Sequence, residues 1–567
     1  MSEKKLAANE YLKVNSNYLR GTLEESVANP VTGAVADDDT QLTKFHGFYM
    51  QDDRDIRNER KQQKLEPKHT FMLRARIPGG VIDMPQWLQI DQIAEELTDY
   101  NSIRLTTRQT FQYHGILKRN LKPLIKGLYQ VKLDSIAACG DVNRNVMATT
   151  NPIQTQLQKE VHEWSVKISE HLLPKTRAYF ELWLDEEKLE TPADVEQEPV
   201  YGKTYLPRKF KIAVAVPPYN DVDISANDLS FIAIEDGNGG LAGFNVCAGG
   251  GLGSTHGDVN TYPQLTRVLG FCKLEDTLDF AQAVMMTQRD NGNRYDRKRA
   301  RTKYTVDDMG VDAFREATEK HAGKKFEPAR DYEFTSQGDR FGWVEDMNGK
   351  WHLTLFLEAG RIVDDERRTI KTGLREIAKV HKGEYRMTAN QNIMIANVAA
   401  EDKAQIEEMC KQYGLLGTEH SPIMLNSIAC VALPTCALAM AESERYLPRL
   451  IEKFDVLAEK HGVGDQEIVT RMTGCPNGCG RPFLAEVAFV GKGPGKYNMY
   501  LGADGKGTRL NQMYRENIGE EEILAEMDTI LERYSKEREQ DERFGDFVVR
   551  IGLVKPVYDG REFHATN

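Results

Sequence analysis

One internal repeat constrains the fold more than any other feature of this chain. Residues 102–116, SIRLTTRQTFQYHGI, are echoed by residues 384–398, EYRMTANQNIMIANV. In that register Arg104 aligns with Arg386, Thr106 with Thr388 and Gln109 with Gln391, while Ala389 replaces Thr107 and Ile393 replaces Phe111. Each copy follows an apolar strand-like segment (FMLRARIPGGVI; WHLTLFLEAGRIV) and a helix-like stretch. Copies about 280 residues apart are far too distant for a solenoid. The spacing predicts two homologous halves facing each other across a pseudo-twofold axis. At 567 residues the chain exceeds what one core can hold, and its mix of patterns predicts an α+β fold, mixed sheets with flanking helices.

The net charge of −12 argues against nucleic-acid or anionic-membrane binding through overall charge. The N-terminus lacks the apolar stretch of a signal peptide. The longest apolar run, 428–441, is interrupted by Pro434 and Thr435 and falls short of the roughly 20 residues that span a bilayer. A cytoplasmic protein without membrane segments is expected, in which the eight cysteines are not paired as disulfides. Cys139, Cys247, Cys272 and Cys410 are scattered and read as buried structural residues. Residues 1–65 are polar and read as an N-terminal arm that binds a partner or wraps the body. The acidic stretch 184–199 reads as a solvated excursion, and EEEILAEMDTILERYSKERE, 520–539, as an amphipathic packing helix.

Four cysteines are organised. CVALPTC and GCPNGCGR place Cys430, Cys436, Cys475 and Cys479 in a C-x5-C…C-x3-C pattern. Four thiolates suit a [4Fe–4S] cube, one per iron, and Gly474, Gly478 and Gly480 let the backbone bend closely around it. Structural zinc is the rival, although zinc pairs are normally separated by two to four residues and the first pair here by five.

Basic residues form the second constellation. Alternation from Arg104 to His114 puts Arg104, Thr106, Arg108, Thr110, Gln112 and His114 on one face of a strand. It likewise pairs Arg74 with Arg76 and Lys209 with Lys211, and RYDRKRARTK, 294–303, adds a further cluster. A solvated face explains each alone; together, in an acidic protein, they imply a pocket for a multiply charged anion. No complete G-x-G-x-x-G is present, so nothing reads as a nicotinamide or flavin module. Electrons for any redox chemistry would come from another polypeptide.

The cysteine pairs, the RLTTRQTFQYHG repeat, NRNV and YLPRKFK together resemble the siroheme-dependent sulfite and nitrite reductases over essentially the whole chain. SNYLRGTL and KFHGFYMQDDRDIR are most similar to the hemoprotein (beta) branch that works with an NADPH-oxidising flavoprotein (alpha) subunit. The resemblance implies six-electron reduction of sulfite to sulfide. It implies a repeat domain of residues 66–136 plus 340–415, a siroheme and substrate half, 137–339, and an iron–sulfur half, 416–567. Cys430, Cys436, Cys475 and Cys479 would hold the cluster, with Cys479 also the axial ligand of the siroheme iron. Arg104, Arg108, His114, Arg208 and Lys303 would meet siroheme carboxylates; Arg74, Arg144, Lys209 and Lys211 would face the substrate. Nitrite reduction and a ferredoxin-dependent sulfite reductase are the alternatives within the family. A zinc-bound RNA-binding protein is the alternative outside it.

Overall fold

The computed structural model describes residues 5–150, 155–175, 183–184, 187–188, 198–417 and 419–565, so most of the acidic stretch 184–199 lies outside the described residues. Four five-stranded sheets organise the described residues, and they form two pairs of equivalents.

The sequence repeat builds the first pair. One sheet runs in the order Phe48–Asp52, His69–Arg74, Phe111–Ile116, Ile103–Leu105 and Arg361–Ile362. Its equivalent runs Gly342–Glu345, Trp351–Leu355, Ile393–Val398, Glu384–Met387 and Val81–Asp83. The fifth strand of each sheet comes from the opposite half, pairing antiparallel with Ile103–Leu105 in one case and Glu384–Met387 in the other. Because the halves exchange edge strands, neither can separate without breaking the other's ladder. Gly80 and Gly360, with φ of 76° and 71°, make the turns into the exchanged strands. A Cβ on Gly80 would stand 2.5 Å from the Met387 carbonyl oxygen, and one on Gly360 2.8 Å from that of Leu105, so both positions require glycine. The helix Met84–Leu97 starts on a capping box, Asp83 accepting from the Gln86 N–H at 2.8 Å. It packs against the helix Ile370–Val380 of the other half, and Trp87, Ile90, Leu374 and Ile377 join one shared core.

The second pair echoes only loosely in sequence, through the strand-and-glycine patterns of GFNVCAGGGLGSTHG and AEVAFVGKGPGKYNMYLG. Met147–Ala148, Ile212–Ala215, Leu229–Glu235, Leu241–Ala248 and Arg267–Lys273 form one sheet; Ser427–Ala429, Thr470–Thr473, Val487–Gly493, Lys496–Leu501 and Gln512–Ile518 form the other. In both, the first three strands are parallel and the last two pairings antiparallel. The helices Gln156–His171 and Leu447–Lys460 each follow the first strand, and Thr277–Asn291 and Glu520–Glu537 each follow the last. Glu520–Glu537 buries Ile523, Met527, Ile530, Leu531 and Tyr534 at helical spacing. The repeat therefore extends through both halves, and its hydrogen bonds match. Gln109 donates to the Ala148 carbonyl at 2.7 Å and Gln391 to that of Ala429 at 2.8 Å, each closing the end of an equivalent strand.

One expectation needs correcting. The alternation from Arg104 to His114 is not one strand but a hairpin. The Thr106 N–H donates to the Thr110 carbonyl at 2.9 Å, Gln109 adopts a φ of 52°, and Arg104 pairs across the ladder with Gln112. Period-two chemistry counts through a tight polar turn as readily as through a strand, so Arg108 lies at a tip. The 1–65 arm, expected to bind a partner or wrap the body, lies partly against the body. Its strand Phe48–Asp52 is the edge of the first sheet, and its helix Ala8–Val14 docks through Glu10, which pairs with Arg294 at 2.6 Å.

Candidate active site

The two cysteine pairs meet because their strands are neighbours. Cys430 follows Ser427–Ala429 directly, Cys475 lies just beyond Thr470–Thr473, and these strands run parallel, side by side. The Gly474 N–H donates to Cys430 Sγ at 3.3 Å, and Asn477 Nδ2 to Cys475 Sγ at 3.5 Å. A Cβ on Gly474 would lie 2.7 Å from the Ala432 Cβ, and one on Gly480 2.8 Å from the Met472 carbonyl oxygen, so the cradle leaves no room for larger residues. Burial, and then the nearby Cys479 thiol, push the Cys430 and Cys436 thiols up, and push Cys475 up to about 11. Thiols that penalise one another's ionisation need a compensating cation. Four thiols gathered at the ends of neighbouring parallel strands suit a four-iron cube, one thiolate per iron.

Cys479 is the exposed member of the set, and beside it the cations converge. The cations enter at the N-terminal ends of the parallel strands of one sheet, Arg144 ahead of Met147–Ala148 and Lys209 and Lys211 ahead of Ile212–Ala215. The cysteines leave the C-terminal ends of the equivalent strands in the other. Arg108, Lys211, Arg301 and Arg481 line a cleft with Thr107 and Asn477. Thr107 Oγ1 donates to the Cys479 carbonyl at 2.8 Å, and the Ser254 N–H to that of Pro476 at 2.9 Å. Burial, and then Arg208, hold Lys209 down to about 7; burial, and then Lys209, hold Lys211 well below the usual lysine range. Among the described residues neither ammonium has a hydrogen-bond or ion-pair partner. Arg108 Nε and Arg481 Nη1 are buried without a hydrogen-bond partner. Asp228 and Asp223 answer Arg301 and Arg481 at 2.8 and 3.2 Å but leave the lysines unpaired, and a cationic excess of this kind is unfavourable in itself. It fits a polyanionic cofactor and an anionic substrate.

The remaining candidates stand further back. Arg144 is 7% exposed and donates to the Gly140 and Ala138 carbonyls at 2.9 and 3.3 Å, with the Tyr49 phenol as a further partner. Arg74 ends its strand beside Gln112, whose amide oxygen accepts from Arg74 Nε at 3.0 Å while its nitrogen donates to His114 Nε2 at 3.2 Å. Burial, and then Arg361, lower the His114 pKa strongly while no anion is near, and its ring contacts Gln112, beside Arg74. Lys303 donates to the Gly251 and Gly253 carbonyls at 3.1 and 2.6 Å and to that of Tyr262, which ties down the glycine loop against the cleft. Arg208 is half-buried near Lys209. Arg104 is 1% exposed, paired with Glu444 at 2.9 Å and bonded to the Ala429 carbonyl at 2.8 Å, so it supports the strand that leads into Cys430. Arg301 and Arg481 lay unassigned in the sequence, the first inside the 294–303 cluster and the second directly after GCPNGCG. Asp228 holds Arg301 at 2.8 Å, and Asn390 accepts from Arg481 at 2.7 Å.

Two predictions follow from these pairs. Burial raises the Glu444 carboxyl, but Arg361 and Arg104 outweigh it and hold it below the usual range. Removing it strands Arg104 in the interior, so Glu444→Ala should cost about 3–5 kcal/mol in urea denaturation; a loss under about 1 kcal/mol would deny the pair its role. The second concerns pH. Lys209 titrates near 7 in the fold and at 10.5 when unperturbed, so between these values the unfolded chain holds more protons and stability rises with pH. In cofactor-free protein the stability of the native chain relative to Lys209→Met should climb by up to about 1.4 kcal/mol per pH unit across that window. A pH-independent difference contradicts the assignment.

Comparison with known proteins agrees with this geometry. The family description "Nitrite/Sulfite reductase ferredoxin-like half domain" matches residues 62–131 and 345–413, the two copies of the repeat. "Nitrite and sulphite reductase 4Fe-4S domain" matches residues 163–326, in the half that bears the cations; the four cysteines lie in its topological equivalent. The sulfite reductase (NADPH) hemoprotein beta-components of Shewanella sp. strain ANA-3 and Shewanella oneidensis are each 62% identical over 565 residues, 100% of both chains. That of Shewanella baltica strain OS155 is 61% identical over the same span. Among solved structures the Mycobacterium tuberculosis NirA protein shares the fold, with a TM-score of 0.78 over 97% of each chain at 24% identity. Identity of this level along the entire length settles kinship, and the chain belongs to the nitrite and sulfite reductase family.

Proposed function

We propose that this chain catalyses the six-electron reduction of sulfite to sulfide, with a [4Fe–4S] cluster on Cys430, Cys436, Cys475 and Cys479 and siroheme in the adjoining cleft, joined through Cys479. One observation carries the reading: the exposed Cys479 thiol opens beside Lys209 and Lys211, two ammonium groups with no partner of their own. The names of the full-length relatives support it. Arg108 and Arg208, together with Arg301 and Arg481, would take siroheme carboxylates by charge-assisted hydrogen bonds. Arg104, His114 and Lys303 would hold the surrounding walls. When bound, siroheme supplies an iron open to substrate and the cluster a relay for single electrons. Arg74, Arg144, Lys209 and Lys211 would hold the sulfite oxygens in a site where water competes poorly. Each oxygen leaves as water and needs protons, which the lysines can give; guanidinium groups are poor acids and serve to bind.

The electrons would come from a flavoprotein (alpha) subunit carrying FAD, FMN and the NADPH site. The relatives' designation as a beta-component supports a partner subunit, as does the missing dinucleotide fingerprint. Residues 66–136 plus 340–415 would form the repeat domain, 137–339 the substrate half and 416–567 the cluster half. Among the described residues no helix is long and apolar enough to cross a membrane; a cytoplasmic enzyme that binds no nucleic acid is the reading we adopt. The test is anaerobic turnover with reduced methyl viologen as electron donor. Sulfite should yield sulfide with a higher kcat/KM than nitrite shows for ammonia formation. The reverse preference would move the chain to nitrite reduction, and inactivity of the siroheme-loaded protein on both would overturn the proposal.

A further inference from the structure

Three of the four cysteine ligands are fixed by the sheet or by the turn that follows it. Cys430 donates its N–H to Ser443 Oγ at 3.1 Å and its carbonyl accepts from the Glu444 N–H at 3.1 Å. Cys475 and Cys479 sit in the glycine-lined turn behind Thr470–Thr473. Cys436 is different. It lies out in a loop whose outer side faces solvent, with Leu438 65% and Met440 40% exposed. That loop is fastened at its far end, where the Met440 N–H donates to the Gly474 carbonyl at 2.7 Å. Near its middle, the repeat domain reaches it through a long contact between Thr435 Oγ1 and His114 Nδ1, at 3.4 Å.

Within the loop the Cys436 N–H donates to the Ala432 carbonyl at 2.9 Å and the Ala439 N–H to the Cys436 carbonyl at 3.1 Å, and the N-terminal arm braces it from outside. A single guanidinium nitrogen of Arg54, Nη1, donates to the Cys436 carbonyl at 3.1 Å and to the Ala439 carbonyl at 2.6 Å. The Arg54 N–H donates to the Pro434 carbonyl at 3.2 Å, and the neighbouring Asp55 pairs with Arg445 at 2.7 Å. Four contacts from two adjacent arm residues thus span the loop from Pro434 to Arg445. We propose that Arg54 is a positioning residue of the iron–sulfur site, holding the Cys436 loop closed over the cluster and so making the N-terminal arm part of that site. The inference rests on the cluster reading above. Its physical basis is ordinary: charge-assisted bonds to two carbonyls three residues apart close the loop, and iron in a cluster is lost through transient opening of its ligand loops.

The test uses the holoprotein under anaerobic conditions with a ferrous-iron chelator, following iron release by chelate absorbance and siroheme by its own bands. Arg54→Ala should release cluster iron at least about tenfold faster than the native chain, in the range typical for lost outer-shell partners of metal ligands. Its thermal midpoint should stay close to the native one. Arg54→Lys should fall between, since an ammonium can restore one of the bonds. Arg57→Ala is the control; it removes an exposed arm pair with Asp52 at 2.6 Å and should behave as native. Native release rates in Arg54→Ala, or equal acceleration in Arg57→Ala, overturn the inference. Should Arg54→Ala not yield folded holoprotein, Arg54→Gln and Arg54→Lys carry the same comparison. A native protein without iron or sulfide would instead refute the cluster reading itself, so the two failures are distinct.

Discussion

Cys479→Ser should yield a protein that has lost most of its iron and, with it, its siroheme. Cys479 belongs to both constellations: it closes the thiol set, and it is the exposed thiol at the cleft where the cations meet. A serine hydroxyl fills the same space but is a harder and far more basic ligand, poorly suited to iron that thiolates hold. The cube would lack one of its four anchors, and the siroheme one of the residues that would hold it. Iron should fall from about five per chain to below about one, and sulfite turnover by at least about a hundredfold. Retention of a full cofactor set with native turnover would remove Cys479 from the bridge.

Lys211→Met is expected to separate catalysis from assembly. Methionine keeps most of the lysine's length and removes its charge. The thiols and the arginines that would take siroheme carboxylates are untouched, so the visible spectrum should stay close to native. Turnover should fall by roughly a hundredfold to a thousandfold, the range in which a positioned acid contributes. The depressed pKa of Lys211 has a further consequence. Burial and Lys209 make its charge unfavourable while no anion is near, and an arriving anion reverses that balance. Sulfite binding should therefore draw protons from solution, and Lys211→Met should reduce the uptake. Unchanged turnover would place Lys211 outside the mechanism.

What the sequence made legible follows from chemistry that is local. The cysteine spacing, the glycines around it and the repeat of Arg104 in Arg386 and Gln109 in Gln391 can all be read along the chain. The exchange of Val81–Asp83 and Arg361–Ile362 between halves cannot, because such short strands carry no period and their partners lie hundreds of residues away. The second pair of sheets is legible only as a shared strand-and-glycine pattern, since most of their equivalence lies in topology. The basic alternation reads as strand through Thr106–Thr110 because a hairpin tip keeps the same polar period there. Charge alone also failed to rank the cations. Arg104 and Lys303 are as basic as Arg301 and Arg481, yet Glu444 and three backbone carbonyls occupy the first two, while Arg481 keeps a donor free beside the cleft. Such distinctions depend on partners brought from distant segments, Glu444 for Arg104 and Asp228 for Arg301.

The most direct measurement is the visible absorption spectrum of protein expressed in a siroheme-competent host, with iron and acid-labile sulfide counted on the same sample. The account predicts siroheme bands with about five irons and four sulfides per chain. A colourless protein carrying one zinc ion and no labile sulfide would contradict it.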